Sequence, residues 1–130
     1  MIKSLVIALL VTLVLPVMAL AVSDDFIVTQ QIGGDTNPPT VPGSLVATPV
    51  ATTQINLAWG TSTDTESSVL GYQVFRNNSQ MATTTSPTYS DTGLNASTTY
   101  NYNVTAFDLF FNISARSATS STTTLLNPKP

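Results

Sequence analysis

The sequence contains no cysteine and no histidine, and only 8% of its residues are charged. Without cysteine no disulfide can staple the fold, so a folded domain has to rest on its apolar core. Without histidine, Ser-His-Asp and Cys-His nucleophile systems and histidine-based zinc sites are excluded together. Basic residues number four, Lys3, Arg76, Arg116 and Lys129, against seven acidic ones, for a net charge of −3. So few cations, so widely spaced, cannot track a phosphate backbone, which argues against a nucleic-acid partner. No catalytic, cofactor-binding or metal site is expected, and no cofactor is implied.

What the chain does hold is 42% apolar residues in a length of 130, enough for one core. Thr, Ser and Asn occupy positions that Lys and Glu usually take, which suits β-branched, turn-rich architecture better than helices. An all-β domain is the expected class.

Residues 1–21 have the layout of a secretory signal peptide. Lys3 precedes an uncharged apolar run from Leu5 to Leu15, followed by Pro16 and Ala19-Leu20-Ala21. The small residues and the helix-breaking Pro16 favour cleavage after Ala21 over an uncleaved anchor, which would be the sole route to membrane contact. Export to the cell surface or the medium follows. Residues 22–37 read as an extension and linker. Its apolar stretch Phe26 to Ile32 is either a strand that pairs with a neighbour or unstructured chain.

Residues 38–124 form the domain, and 125–130 a tail. Tyr100, Tyr102, Val104 and Ala106 alternate with Asn101, Asn103, Thr105 and Phe107, giving a strand with one apolar face. Leu94 lies just ahead across a small polar loop, the pattern of a tyrosine corner in which the Tyr100 hydroxyl bonds back to nearby backbone. This predicts an immunoglobulin-like Greek-key β-sandwich of about seven antiparallel strands in two sheets. Leu45 and Ala47 face inward on a first strand ending at Pro49, and Ile55, Leu57 and Trp59 on a second. Leu70, Tyr72 and Val74 line a third with Phe75 on its other face. Gln80 to Thr85 and the stretch around Tyr89 are short strands. Asn112 to Thr124 is the last strand, with Ile113, Ala115 and Ala118 as its apolar candidates. The structural core is therefore Leu45, Ile55, Leu57, Trp59, Tyr72, Val74, Leu94, Tyr100 and Val104.

Taken in order, Pro38-Pro39-x-x-Pro42, Leu45, Trp59, Gly71-Tyr72-x-Val74, Tyr89-x-Asp91, Gly93-Leu94 and Tyr100-x-Tyr102-x-Val104-x-Ala106 resemble a fibronectin type III domain of secreted or surface-exposed bacterial proteins. The resemblance implies a non-catalytic binding or adhesion module whose partner is a protein or carbohydrate at the cell surface or in the extracellular matrix. The alternative it implies is a structural spacer or accessory module of a larger extracellular protein such as a polysaccharide-degrading enzyme. There is no Arg-Gly-Asp. Where such modules usually carry Asp, two small residues, Gly and Asn before the last strand, this chain reads Asp108-Leu109-Phe110-Phe111-Asn112. Phe111 at the glycine position denies the turn an easy positive φ.

Leu109, Phe110 and Phe111 are accordingly the candidate contact loop, either folded back as a plug over the core end or presented to a partner. Trp59, Tyr72 and Tyr100 could be drawn as a sugar platform, but their alternation makes them packing residues. Asp64, Glu66 and Asp108 are the acids this fold would bring to one end. A glycosidase pair needs carboxylates held across a cleft, and calcium needs six to eight oxygens, so the acids are read as turn caps. Asn77, Asn95, Asn103 and Asn112 begin N-x-[ST] sequons, which arise freely in so Asn- and Thr-rich a chain.

Overall fold

The computed structural model describes residues 8–10, 17–19 and 34–129. The chain divides into two units, residues 1–34 and 35–130. In the first, strand β1 (Ala8–Leu10) pairs antiparallel with β2 (Val17–Ala19), Ala8 opposite Ala19. Both lie inside the segment read as a leader. The proposed cleavage position and the stretch Phe26 to Ile32 fall outside the described residues. Among the described residues no helix is long and apolar enough to cross a membrane.

The second unit carries seven strands: β3 (Gly43–Ala51), β4 (Gln54–Gly60), β5 (Val69–Arg76), β6 (Ser79–Thr84), β7 (Thr88–Thr92), β8 (Thr99–Asp108) and β9 (Ser120–Thr123). They form a three-stranded sheet, β3-β4-β7, and a four-stranded sheet, β6-β5-β8-β9, with every pairing antiparallel. The chain changes sheet after β4, β6 and β7, so sequence neighbours face each other across the core as in a Greek key.

Alternation explains the core. Ile55, Leu57 and Trp59 of β4 turn inward against Tyr72 and Val74 of β5 and Tyr100, Tyr102, Val104 and Ala106 of β8. Leu45 and Ala47, on the edge strand β3, are partly buried against this cluster. Trp59 meets Tyr72 edge to face, ring centroids 5.4 Å apart and planes at 70°. Leu94 is buried, and the Tyr100 hydroxyl accepts the backbone N–H of Asn95 at 3.1 Å, closing the tyrosine corner. The Asn77-Asn78 turn between β5 and β6 has positive φ at both residues, 49° and 70°, as a two-residue hairpin requires.

One aromatic side chain on the outer face of the four-stranded sheet is covered as well. Phe75 is buried on that side beneath Arg116, whose guanidinium lies 4.0 Å from the ring centroid.

Three sequence expectations change. Leu70 is exposed and not part of the core, while Val69 packs inward. A register shift between Val69 and Gly71 in the β5–β8 ladder puts an extra residue there and reverses the alternation. Gly71 permits the close approach: a Cβ there would stand 2.8 Å from the Thr84 carbonyl oxygen. Strand β3 runs through Pro49 to Ala51, which an edge strand tolerates because the missing N–H can face solvent.

The last strand differs most. Only Ser120–Thr123 forms a ladder, preceded by a single bridge from Ile113 to Phe107, and Ile113, Ala115 and Ala118 are exposed. The inward residues are Ser114 and Ser117. Each donates its N–H to β8, Ser114 to the Ala106 carbonyl at 2.9 Å and Ser117 to that of Val104 at 2.8 Å. Each hydroxyl oxygen then accepts the N–H of the same β8 residue, at 2.9 Å from Ala106 and 3.0 Å from Val104. Side chains thus complete the strand pairing that backbone carbonyls would otherwise make.

Ser114→Ala and Ser117→Ala should each cost about 1–3 kcal/mol, because a buried N–H of β8 loses its acceptor while almost no apolar volume changes. Urea unfolding checks this, and a loss like that of an exposed site would show that water replaces the hydroxyl. Trp59→Ala should cost about 3–5 kcal/mol as a large-to-small change in a core without disulfides, read from the same curves.

Candidate functional site

The end of the sandwich where β8 stops and β5 begins is organised by Asp108, which is fully buried. Its Oδ1 accepts the backbone N–H of Phe110 at 2.8 Å and of Asn112 at 2.9 Å, and its Oδ2 accepts the Asn112 side-chain amide at 2.8 Å. The Phe111 N–H donates to the Asp108 carbonyl and the Asp108 N–H to that of Asn112, both at 3.2 Å. Burial by itself would raise the Asp108 carboxyl, but the Asn112 and Phe110 donors, with the neighbouring Asp35 carboxyl, outweigh it and hold the group below its ordinary value. A buried carboxylate is tolerable here because its oxygens are bonded.

This closed loop needs one residue in the left-handed region, and Phe111 takes it with φ of 63°. For a residue with a Cβ that conformation costs about 1–2 kcal/mol. The tip is not folded back. Leu109 is 54% exposed, Phe110 36% and Phe111 72%. Leu70 and Ile113, close by in the pairing of β5 and β8, are exposed as well. All three side chains of the tip thus lie at the surface, and no plug forms over the core end.

The acids meet in a different combination from the expected one. Asp35, in the lead-in segment, joins Asp64 of the β4–β5 loop and Asp108, each offering an oxygen within 4.8 Å of the others. Glu66 stands apart and accepts the Asn37 side-chain amide at 2.6 Å. Asp64 caps its own loop, Oδ1 accepting the N–H groups of Glu66 at 2.9 Å and Ser67 at 2.8 Å. Asp35 is placed by its own turn, with Oδ1 accepting the Asn37 N–H at 2.8 Å, and by its carbonyl, which accepts the Asn112 amide at 2.9 Å. The Thr40 and Thr63 backbones complete the attachment, bonded at 2.8 Å. Sequence reasoning missed Asp35 because it lies in a stretch whose composition reads as linker. Its Asp-x-Asn spacing ahead of two prolines was the available signal.

The aromatic residues do not form a platform. Trp59, Tyr72 and Tyr100 face the core, and the Tyr72 hydroxyl is occupied by the Ser62 N–H at 3.0 Å. Of the sequon residues, Asn103 is buried, its amide donating to the Ser117 carbonyl at 3.1 Å and to the Thr119 hydroxyl at 2.9 Å. That side chain fastens the last segment to β8.

A two-sheet sandwich with this strand order and a tyrosine corner defines an immunoglobulin-like class. The chain belongs to the fibronectin type III domain family, which matches residues 37–124. It is similar to Exoglucanase B of Cellulomonas fimi, 47% identical over 94 residues that make up 72% of this chain and 8% of that protein. It is likewise similar to Chitinase Chi52 of Paenibacillus xylanexedens, 44% identical over 90 residues, 69% of this chain and 17% of that protein. The chain thus spans less than a fifth of the length of either relative. Among solved structures, Chitinase ChiA74 from Bacillus thuringiensis shares the fold with a TM-score of 0.65 at 26% identity, covering 72% of this chain and 14% of that one. A fibronectin type III domain is a non-catalytic module, and function on such a fold lives in its loops.

Phe111→Gly combined with Phe110→Ser should raise the unfolding free energy by about 1 kcal/mol, since glycine relaxes the positive φ and no core contact is lost. Thermal and urea unfolding check the direction. A loss of several kcal/mol would show that the two rings hold the sandwich end together.

Proposed function

We propose that the chain provides a non-catalytic accessory module to an extracellular polysaccharide-degrading system, working as a spacer that holds other modules apart. The observation that carries this reading is the identity of 42–47% to short segments of an exoglucanase, an alpha-amylase and a chitinase, in each of which the matched part is a small fraction of the protein. Export through a leader cleaved after Ala21 accords with such a location.

The exposed Leu109-Phe110-Phe111 tip favours a second reading, a binding or adhesion unit whose partner is a protein or carbohydrate. The two readings part on direct affinity. Mixed with insoluble cellulose, chitin and starch, the full chain should remain in the supernatant if it is a spacer. Retention on any of them, lost in the Phe110→Ser, Phe111→Gly variant, would overturn the spacer reading and make the tip a carbohydrate contact.

A further inference from the structure

Buried polar atoms without hydrogen-bond partners are concentrated in two segments of this domain. Among the described residues they are Asp35 Oδ2, Asp64 Oδ2, Ser62 Oγ, Ser67 Oγ and Trp59 Nε1. Four of the five belong to the lead-in segment and the β4–β5 loop, where the three carboxylates converge. Asp35 is only 8% exposed and Asp108 is fully buried. Carboxylate oxygens in such a setting repel one another and have lost their water, which is unfavourable unless they share a proton or a cation joins them.

Neither arginine does so. Arg76 is bonded to Asp91, and Arg116 lies over Phe75 with a 3.3 Å hydrogen bond to Asn78 Oδ1. Arg76 and Asn78 are at the opposite end of β5 from Val69, which pairs with Asp108.

We propose that Asp35, Asp64 and Asp108 form a calcium site that clamps the lead-in segment onto the β4–β5 and β8–β9 loops. Calcium binds oxygen at about 2.3–2.6 Å, so two of its ligands stand at most about 4.6–5.2 Å apart. Oxygens that all lie within 4.8 Å of one another are within reach of a single ion. The donor set is hard and anionic, with no nitrogen or sulfur, as calcium prefers. Asp35 Oδ2 and Asp64 Oδ2 are free to bind while Oδ1 of each keeps its turn. Water completes a shell of six to eight. Glu66 stays outside, bonded to Asn37.

The test uses the full chain, freed of metal with EDTA and titrated with calcium chloride by calorimetry, with melting curves alongside. One saturable site is expected with a dissociation constant on the order of 10⁻⁵–10⁻³ M, together with a melting temperature that rises with calcium. The Asp35→Asn, Asp64→Asn double variant keeps both turn-capping oxygens and removes two charges. It should melt in EDTA no lower than the wild type and bind calcium at least about tenfold more weakly. A wild type that gives no binding heat and melts identically in EDTA and in calcium overturns the proposal. So does a double variant with an undiminished calcium shift, and an equal response to magnesium would overturn the assignment to calcium.

Discussion

The sandwich closes on one buried carboxylate. Asp91 of β7 accepts two hydrogen bonds from Arg76 of β5, at 2.9 and 3.0 Å, and one from the Tyr102 hydroxyl of β8, at 2.7 Å. These donors belong to the sheet opposite, so a polar contact does in this cysteine-free domain what packing alone would otherwise have to do. Burial, and then the bond to Asp91, push the Tyr102 hydroxyl far above its ordinary value, so it remains a donor. The arrangement selects register as much as it stabilises. Slipping β7 by one residue would turn Asp91 out of the core, move Tyr89 off Leu57, and leave Arg76 and Tyr102 facing each other without an acceptor.

How much of this was legible depends on which residues carry each strand. β4 and β8 announce themselves, because Ile55, Leu57 and Trp59, and then Tyr100 to Ala106, are large and apolar at alternate positions. The last segment does not, since its inward residues are serines. Ser114, Ser117 and Ser120 recur every third residue, a period that belongs to neither helix nor strand. Each hydroxyl nevertheless accepts a backbone N–H, that of Ser120 from Ala47 of β3 at 3.1 Å, so the same segment ties both sheets. Hydrophobic pattern cannot reveal contacts made by hydroxyls. Nor does it reveal the bulge at Val69 to Gly71, where one extra residue exchanges the roles of Val69 and Leu70.

The loop end was legible in part for the same kind of reason. Phe111 in the place of a turn glycine is visible as a conflict between residue and conformation, and the structure contains that conflict at φ of 63°. Asp64 and Asp108 are readable as acids on loops of one end of the sandwich. Asp35 is not, because its position depends on long-range bonds, from the Asn112 amide to its carbonyl and between Thr40 and Thr63. Those bonds fasten Asp35, which lies in the stretch read as linker, and Thr40 to the loops of this end.

Asp108 joins the two features of that end and explains why the tip tolerates its strain. To move Phe111 out of the left-handed region, the loop would have to release the N–H groups of Phe110 and Asn112 from a fully buried carboxylate. Hydrogen bonds to a charged group are worth about 1.5–3 kcal/mol each, and the left-handed conformation costs about 1–2 kcal/mol, so the loop keeps the bonds and accepts the strain. The backbone of the tip is therefore determined from below, by Asp108, and not by the rings it carries. A glycine at position 111 would satisfy that backbone better, so nothing in the packing calls for phenylalanine. Two phenylalanines and a leucine are thus held in water on a backbone that Asp108 fixes from inside the domain.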